Sequence, residues 1–482
     1  MAGTFRFRRI ILGFFVVVIV LMAGMVFWIS TNLKRRQAMI DSRMAEAGIS
    51  GEFLPLRTPA LSAEGNFFNH PDLINLPLDG ASSGTLGAKD LGPGVPSLGE
   101  GAALGRALDM EETVKTMAMH KLLPALPESG REAQVIRALF EADPAWAILT
   151  HQAQISQHAE FIPAMSVRPL PSMLLSMPQN HLNVVTKLIK PLILHGMACT
   201  RMADFPAGMN DLQALCFISS ACRREGTFIS EIVAITLEAQ SIQLVWELLA
   251  QPTLPESELR RLRTMLDTRS YPRSLVEASL GEFAIGLQTL QVLEKTPANF
   301  KSEMEILHSV PGLLALNRCF YMETYLNHYL LPLSQRGPVA ALAEAPAMAA
   351  QMKMQSVRLL SFEKIVALLL MPSTEIVLHM GIHEEAQRRQ ALTACALELF
   401  QRQHGKYPAS LAELSEAAPL DPVTDKAFGY KPTSDGRYQV WGIGFDGKDD
   451  GGSVPLSAKG KAPKLTHADY RGDWTWRYTF TP

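Results

Sequence analysis

The sequence predicts a mainly α chain: an N-terminal transmembrane helix, an all-α domain of helical hairpins, and a small α+β C-terminal domain with an antiparallel sheet. Three observations predict it. An uncharged apolar run, Ile10 to Ile29, lies near the start. Apolar residues then recur at helical spacing between proline and glycine breaks. Near the end the period becomes two, with aromatic residues alternating with polar ones. The expected divisions are 1–9 as a cytoplasmic N-terminus, 10–30 as the span, 31–104 as a juxtamembrane helix and flexible stalk, 105–382 as the all-α domain and 383–482 as the α+β domain.

Each element has a local cause. At 1.5 Å per residue the Ile10–Ile29 run covers ~30 Å, the thickness of a hydrocarbon core. It is longer than a signal-peptide core of roughly 7–15 residues, and Lys34, Arg35 and Arg36 follow it as a stop, so an uncleaved anchor is expected. Arg6, Arg8 and Arg9 precede it, so the positive-inside rule does not decide its orientation. Gly92-Pro93-Gly94-Val95-Pro96-Ser97 can continue neither a helix nor a central strand and reads as stalk. From Phe228 to Gln251 the apolar positions share one helix face, and Pro252 ends it. Pro255 stands at the start of the next helix, with Glu256 and Glu258 in the first turn. Further helices are expected over Ser274 to Lys295, Ala349 to Leu370 and Glu384 to His404, the last ended by Gly405. Ser410 and Glu413 fit a capping box. Strands are expected at Phe428 to Lys431 and Tyr438 to Trp441 around Ser434-Asp435-Gly436, and at Trp474 to Phe480.

Composition narrows function. Apolar residues make up 47 % and charged residues 19 %, enough for large cores, and the net charge of -2 gives no pull toward nucleic acid. The five cysteines form no CxxC pair and read chiefly as buried free thiols, although Cys216 and Cys222 could pair across a turn. No phosphate-binding P-loop motif or tetratricopeptide signature occurs.

One constellation carries chemistry. Gly444-Phe445-Asp446-Gly447-Lys448-Asp449-Asp450-Gly451-Gly452, with Asp469 and Asp473, crowds five carboxylates around a glycine-rich loop. Such carboxylates repel one another. A hard cation such as Ca²⁺, which takes ~6–8 oxygen ligands, would relieve that repulsion. The EF-hand pattern does not fit, and a solvated loop with Asx turns is the alternative.

The segment Leu397 to Pro408, then Ser410-Leu411, Pro419-Leu420-Asp421-Pro422, Tyr430 and Gly444-Phe445-Asp446-Gly447-Lys448, resembles in order and spacing the head of the type II secretion major pseudopilin. The likeness covers roughly 384–482. It implies a helix packed on a small antiparallel sheet, with Ca²⁺ pinning the last loop. The family's first loop aspartate corresponds to Asp446, and its closing aspartate to Asp473 or else Asp469, with Asp449 and Asp450 as added ligands. No Gly followed by Phe-Thr-Leu-x-Glu opens the apolar run, so a pilin-type leader is not expected there, and the chain also resembles large envelope proteins of planctomycete- and verrucomicrobium-like bacteria that carry this head after a helical region.

Two functions compete. The first is a non-catalytic, single-pass inner-membrane protein, with its large C-terminal part periplasmic, that binds a protein partner in a secretion or pilus-like assembly. The second is an envelope enzyme with its site in the helical domain. For that, His379 and His383 share a helix face and, with Glu384 or Glu385, could hold zinc. Arg260-Arg261-Leu262-Arg263 reads as a solvated helix face, Asp143-Pro144 as a helix start before a core Trp146, and Met173, Met177 and Met197 as core filling.

Overall fold

The computed structural model describes residues 2–46, 64–69, 98, 101–123, 126–161, 180–268, 271–295, 312–353, 364–454 and 472–478. The expected stalk residues 92–97, together with Asp469, Met173, Met177 and Phe480, lie outside these. In chain order the helices are α1 (Ala2–Glu46), α2 (Met110–Met119), α3 (Glu132–Glu141), α4 (Pro144–Ile155), α5 (Asn180–Arg201), α6 (Phe205–Arg224), α7 (Phe228–Ala250) and α8 (Glu256–Asp267). They continue with α9 (Tyr271–Lys295), α10 (Leu313–Tyr325), α11 (Leu331–Arg336), α12 (Pro338–Ala343), α13 (Ala345–Met352), α14 (Ile365–Leu370) and α15 (Thr374–His404). The strands are β1 (Gly429–Pro432), β2 (Tyr438–Gly442) and β3 (Trp474–Arg477). The chain is thus mainly helical with one small antiparallel sheet, as the sequence predicts.

Two compact units form. The first takes Met1–Leu56, Pro169–Ser176 and Ser279–Thr374; the second takes Arg57–Arg168, Met177–Ala278 and Glu375–Pro482. The expected division at 382/383 falls inside α15, which starts ten residues before the expected Glu384 and runs unbroken through it. Glycine at position 381 is tolerated there because the ring of Tyr271 occupies the space a Cβ would need.

In the first unit, α1 is one continuous helix containing the 10–29 run. Its later part packs on α10, where Gly312 fits because a Cβ would meet Ile29 at 2.8 Å. Phe283, Tyr321, Tyr325 and Tyr329 form a buried aromatic column with centroid spacings of 5.2–5.8 Å. Its hydroxyls stay satisfied: Tyr325 donates to Ser279 O and Tyr321 to Glu282 O. After α10 the helix widens to i→i+5 bonding over Leu326–Leu330. Pro332 follows; it has no N–H to give the carbonyl four residues back, and a widened turn absorbs that lost bond.

In the second unit, α5, α6 and α7 pack on one another, with α3 and α4 on one side. The helix starts are encoded locally. Asp143 and Asp204 cap α4 and α6 through their side chains, and Thr227 caps α7 in a reciprocal box with Ser230. α7 and α8 fall where the periodicity predicts them. The predicted capping box of Ser410 and Glu413 forms around a single 3-10 turn, Leu411–Glu413.

The sheet has order β1-β2-β3, both pairs antiparallel, with Tyr430 opposite Val440 and Val440 opposite Trp476. It is no free-standing head. One hydrophobic core holds Leu192, Leu215 and Leu244 of the helices together with Ala391, Leu397, Tyr438, Val440 and Trp476. The Trp246 indole N–H on α7 donates to Arg477 O at 2.8 Å, and Gln390 Nε2 on α15 to Trp474 O at 2.5 Å. Hence both faces of β3 are buried, including Thr475 and Arg477, where alternation predicts one polar face.

Three helices among the described residues are long and apolar enough to cross a membrane: His181–Arg201, Phe228–Ala250 and Ile365–His404. In the first two, 72 % of the most apolar window is buried inside the protein, so much of that apolar surface already has protein neighbours.

Candidate functional site

The acidic tail loop forms where the sequence places it, and its carboxylates are used on backbone amides. Asp446 accepts from Lys448 N at 3.1 Å and, through its other oxygen, from Gly472 N at 3.0 Å. Asp449 accepts from Trp441 Nε1 and Gly451 N, which holds its carboxyl below the usual range. Asp473 is fully buried and accepts from Gly452 N at 2.6 Å. Burial pushes its carboxyl up to about 6, against the pull of the Gly452 and Asp450 amides. Asp450 is exposed. Gly452 O gathers three donors: Gln439 Nε2, Thr475 Oγ1 and Arg477. Glycine is required at position 444, where φ is +74° and a Cβ would lie 2.5 Å from Gly472 O. Asp446 and Asp473 therefore tie the loop to the start of β3. Among the described residues, no three of these carboxylates bring ligand oxygens within 4.8 Å of one another.

His379 and His383 do share a face of α15, but each meets an aromatic ring edge-on. His379 stands against Phe445 at 4.8 Å and His383 against Trp474 at 4.9 Å. Glu385 pairs with Arg388 and Arg389, and Glu384 lies 4.0 Å from Arg223. The two histidines thus seat the tail loop on α15, and no third metal ligand joins them among the described residues.

The helical layer holds two polar clusters that motif reading did not single out. In one, Arg223 is surrounded by the buried carboxylates of Glu238 at 2.9 Å, Glu231 at 3.6 Å and Glu384 at 4.0 Å. Burial works against the guanidinium's charge, but the three carboxylates outweigh it and raise its pKa.

The other lies between α3, α4, α5 and α6. Gly196 and Gly208 let α5 and α6 approach, since a Cβ at Gly208 would stand 2.9 Å from Gly196 O. That contact brings Asp211 Oδ2 of α6 to 2.6 Å from His195 Nδ1 of α5. Cys199, one turn on, places Sγ 3.8 Å from Nδ1 and 3.7 Å from Nε2. All three side chains are buried. Burial pushes the Asp211 carboxyl up to about 6, opposed by His195. Its second oxygen, Oδ1, is buried with no hydrogen-bond partner, as is the Trp146 indole N–H. On the far side of the imidazole, Nε2 faces Glu141 at 3.6 Å, which Arg137 holds at 2.8 Å. A cavity of about 310 Å³ opens there, lined by Glu141, Trp146, Thr150, Gln154, His195 and Asn210. The sequence signal for this group is a His and a Cys four apart on an apolar helix, plus an acid inside another.

Comparison with protein-family models, with curated proteins and with solved structures finds no match.

Proposed function

We propose that this chain is a non-catalytic membrane-anchored envelope protein, held by residues 10–30, whose second unit is a partner-binding body with a pseudopilin-like, calcium-responsive tail. The partner is a protein of a secretion or pilus-like assembly. The observation that carries the reading is the closure of the acidic loop onto β3 by Asp446 and Asp473, two of the positions where the pseudopilin resemblance would put calcium ligands. Support also comes from α15, where the histidines of the competing enzyme reading are taken up in packing. The apolar 10–29 run, free of charge within one helix, supports the anchor.

The test has two arms. Carbonate-washed membranes from the producing cells retain the full chain and release a chain lacking residues 1–30, and protease added outside spheroplasts digests the remainder. Retention of the shortened chain overturns the single anchor, and protection from protease overturns the periplasmic placement. A photo-crosslinker at exposed Lys431, on β1 at the sheet edge, traps an assembly component. Clean recovery of uncrosslinked chain from cells running that assembly overturns the partner role.

A further inference from the structure

We propose that His195, Cys199 and Asp211 form a binding site for a divalent transition metal of the zinc class, independent of the tail loop and of the anchor. These three side chains place one ligand atom each within 4.8 Å of the others, the one such group among the described residues.

Four features point to a metal rather than to ordinary packing. The first is spacing. With Zn–S near 2.3 Å and Zn–N near 2.0–2.1 Å, two ligands of a tetrahedral ion stand ~3.5 Å apart. The Sγ to imidazole separations of 3.7 and 3.8 Å are within a few tenths of that. The second is charge. A metal-bound thiolate and carboxylate would bring two negative charges into a buried site, which a divalent ion cancels. The third is ligand softness: thiolate and imidazole favour zinc, cobalt or nickel and disfavour calcium or magnesium. The fourth is the orphaned Asp211 Oδ1, a fully buried carboxylate oxygen with no hydrogen-bond partner. Buried polar atoms are nearly always satisfied, and a metal supplies the missing partner.

The framework is rigid where a metal site needs it. His195 and Cys199 stand one turn apart on α5, and Asp211 is held opposite by the Gly196–Gly208 contact. The cavity beside His195 gives an ion a way in and a place for water.

The full chain, purified in detergent without chelators, carries about one equivalent of zinc by elemental analysis. After stripping and reloading, cobalt shows a thiolate-to-cobalt charge-transfer band in the near ultraviolet and the visible bands of a four-coordinate ion. Cys199→Ser abolishes the charge-transfer band, whereas Cys395→Ser, a buried thiol elsewhere, leaves it unchanged. Asp211→Asn weakens zinc by more than ~10-fold in chelator competition, the scale of losing a group that supports a metal. Circular dichroism reports whether each variant is folded. If Cys199→Ser fails to fold, protection of Cys199 from alkylation by cobalt in the unaltered chain decides. Metal-free protein that takes up no cobalt, a cobalt spectrum with no thiolate band, or unchanged zinc affinity in Asp211→Asn overturns the site.

Discussion

Replacing Asp473 by Asn tests the strain at the tail loop. The buried carboxyl titrates near 6 in the folded chain against an ordinary 3.8. The folded state therefore holds an extra proton between those values. Stability from that proton is complete below about 3.8 and is lost as pH rises through about 6. Roughly two pKa units correspond to about 3 kcal/mol of penalty for the ionised group at neutral pH. Asn keeps an oxygen for the Gly452 amide and gives up an acceptor toward the Asp450 amide, a loss of about 1–1.5 kcal/mol. The net expectation for Asp473→Asn at pH 7 in chelator is a gain of about 1–2 kcal/mol, a few degrees in Tm. The gain vanishes or reverses below pH 4. On the proposed calcium role of the loop, millimolar calcium should invert the order, the carboxylate then serving as a ligand. Thermal melts followed by circular dichroism at both pH values, with chelator and with calcium, check this. An Asn variant less stable than the parent at pH 7 in chelator would refute the reasoning.

Three further substitutions probe the packing. Gly381→Ala drives a methyl into the Tyr271 ring and should cost about 1–3 kcal/mol in urea unfolding, whereas helix propensity alone predicts a gain. Arg223→Met leaves three buried carboxylates without their shared cation; a loss of about 3–5 kcal/mol is expected, and a loss below 1 kcal/mol would show that the cluster holds itself neutral. Trp246→Phe keeps the apolar bulk but strips Arg477 O of its indole donor, an expected cost of about 1–3 kcal/mol seen in the same melts.

Local signals in the sequence placed most elements. Pro255 with Glu256, Gly405 and the Ser410–Glu413 box fix helix boundaries by short-range chemistry, so α8, the end of α15 and the 3-10 turn fall where predicted. The start of α15 was hidden because Gly381 reads as a breaker unless Tyr271, over a hundred residues away, is known to pack on it. Burial of Thr475 and Arg477 was equally hidden, since alternation marks a two-faced strand but not a second layer that covers its polar side. The loop carboxylates were legible as a group, yet their amide partners depend on how the backbone curls at Gly444 and Gly452. The His195 group was missed because its third member lies on another helix, and only the close glycine contact between α5 and α6 brings it in.

Hydrogen exchange on the full chain tests most directly whether the tail sheet and the helical layer form one cooperative body that the acidic loop locks. Amides of β2, β3 and α7 should open together with a single free energy, and calcium should slow all three. Exchange in β2 and β3 that runs ahead of α7, with calcium slowing neither, would contradict it.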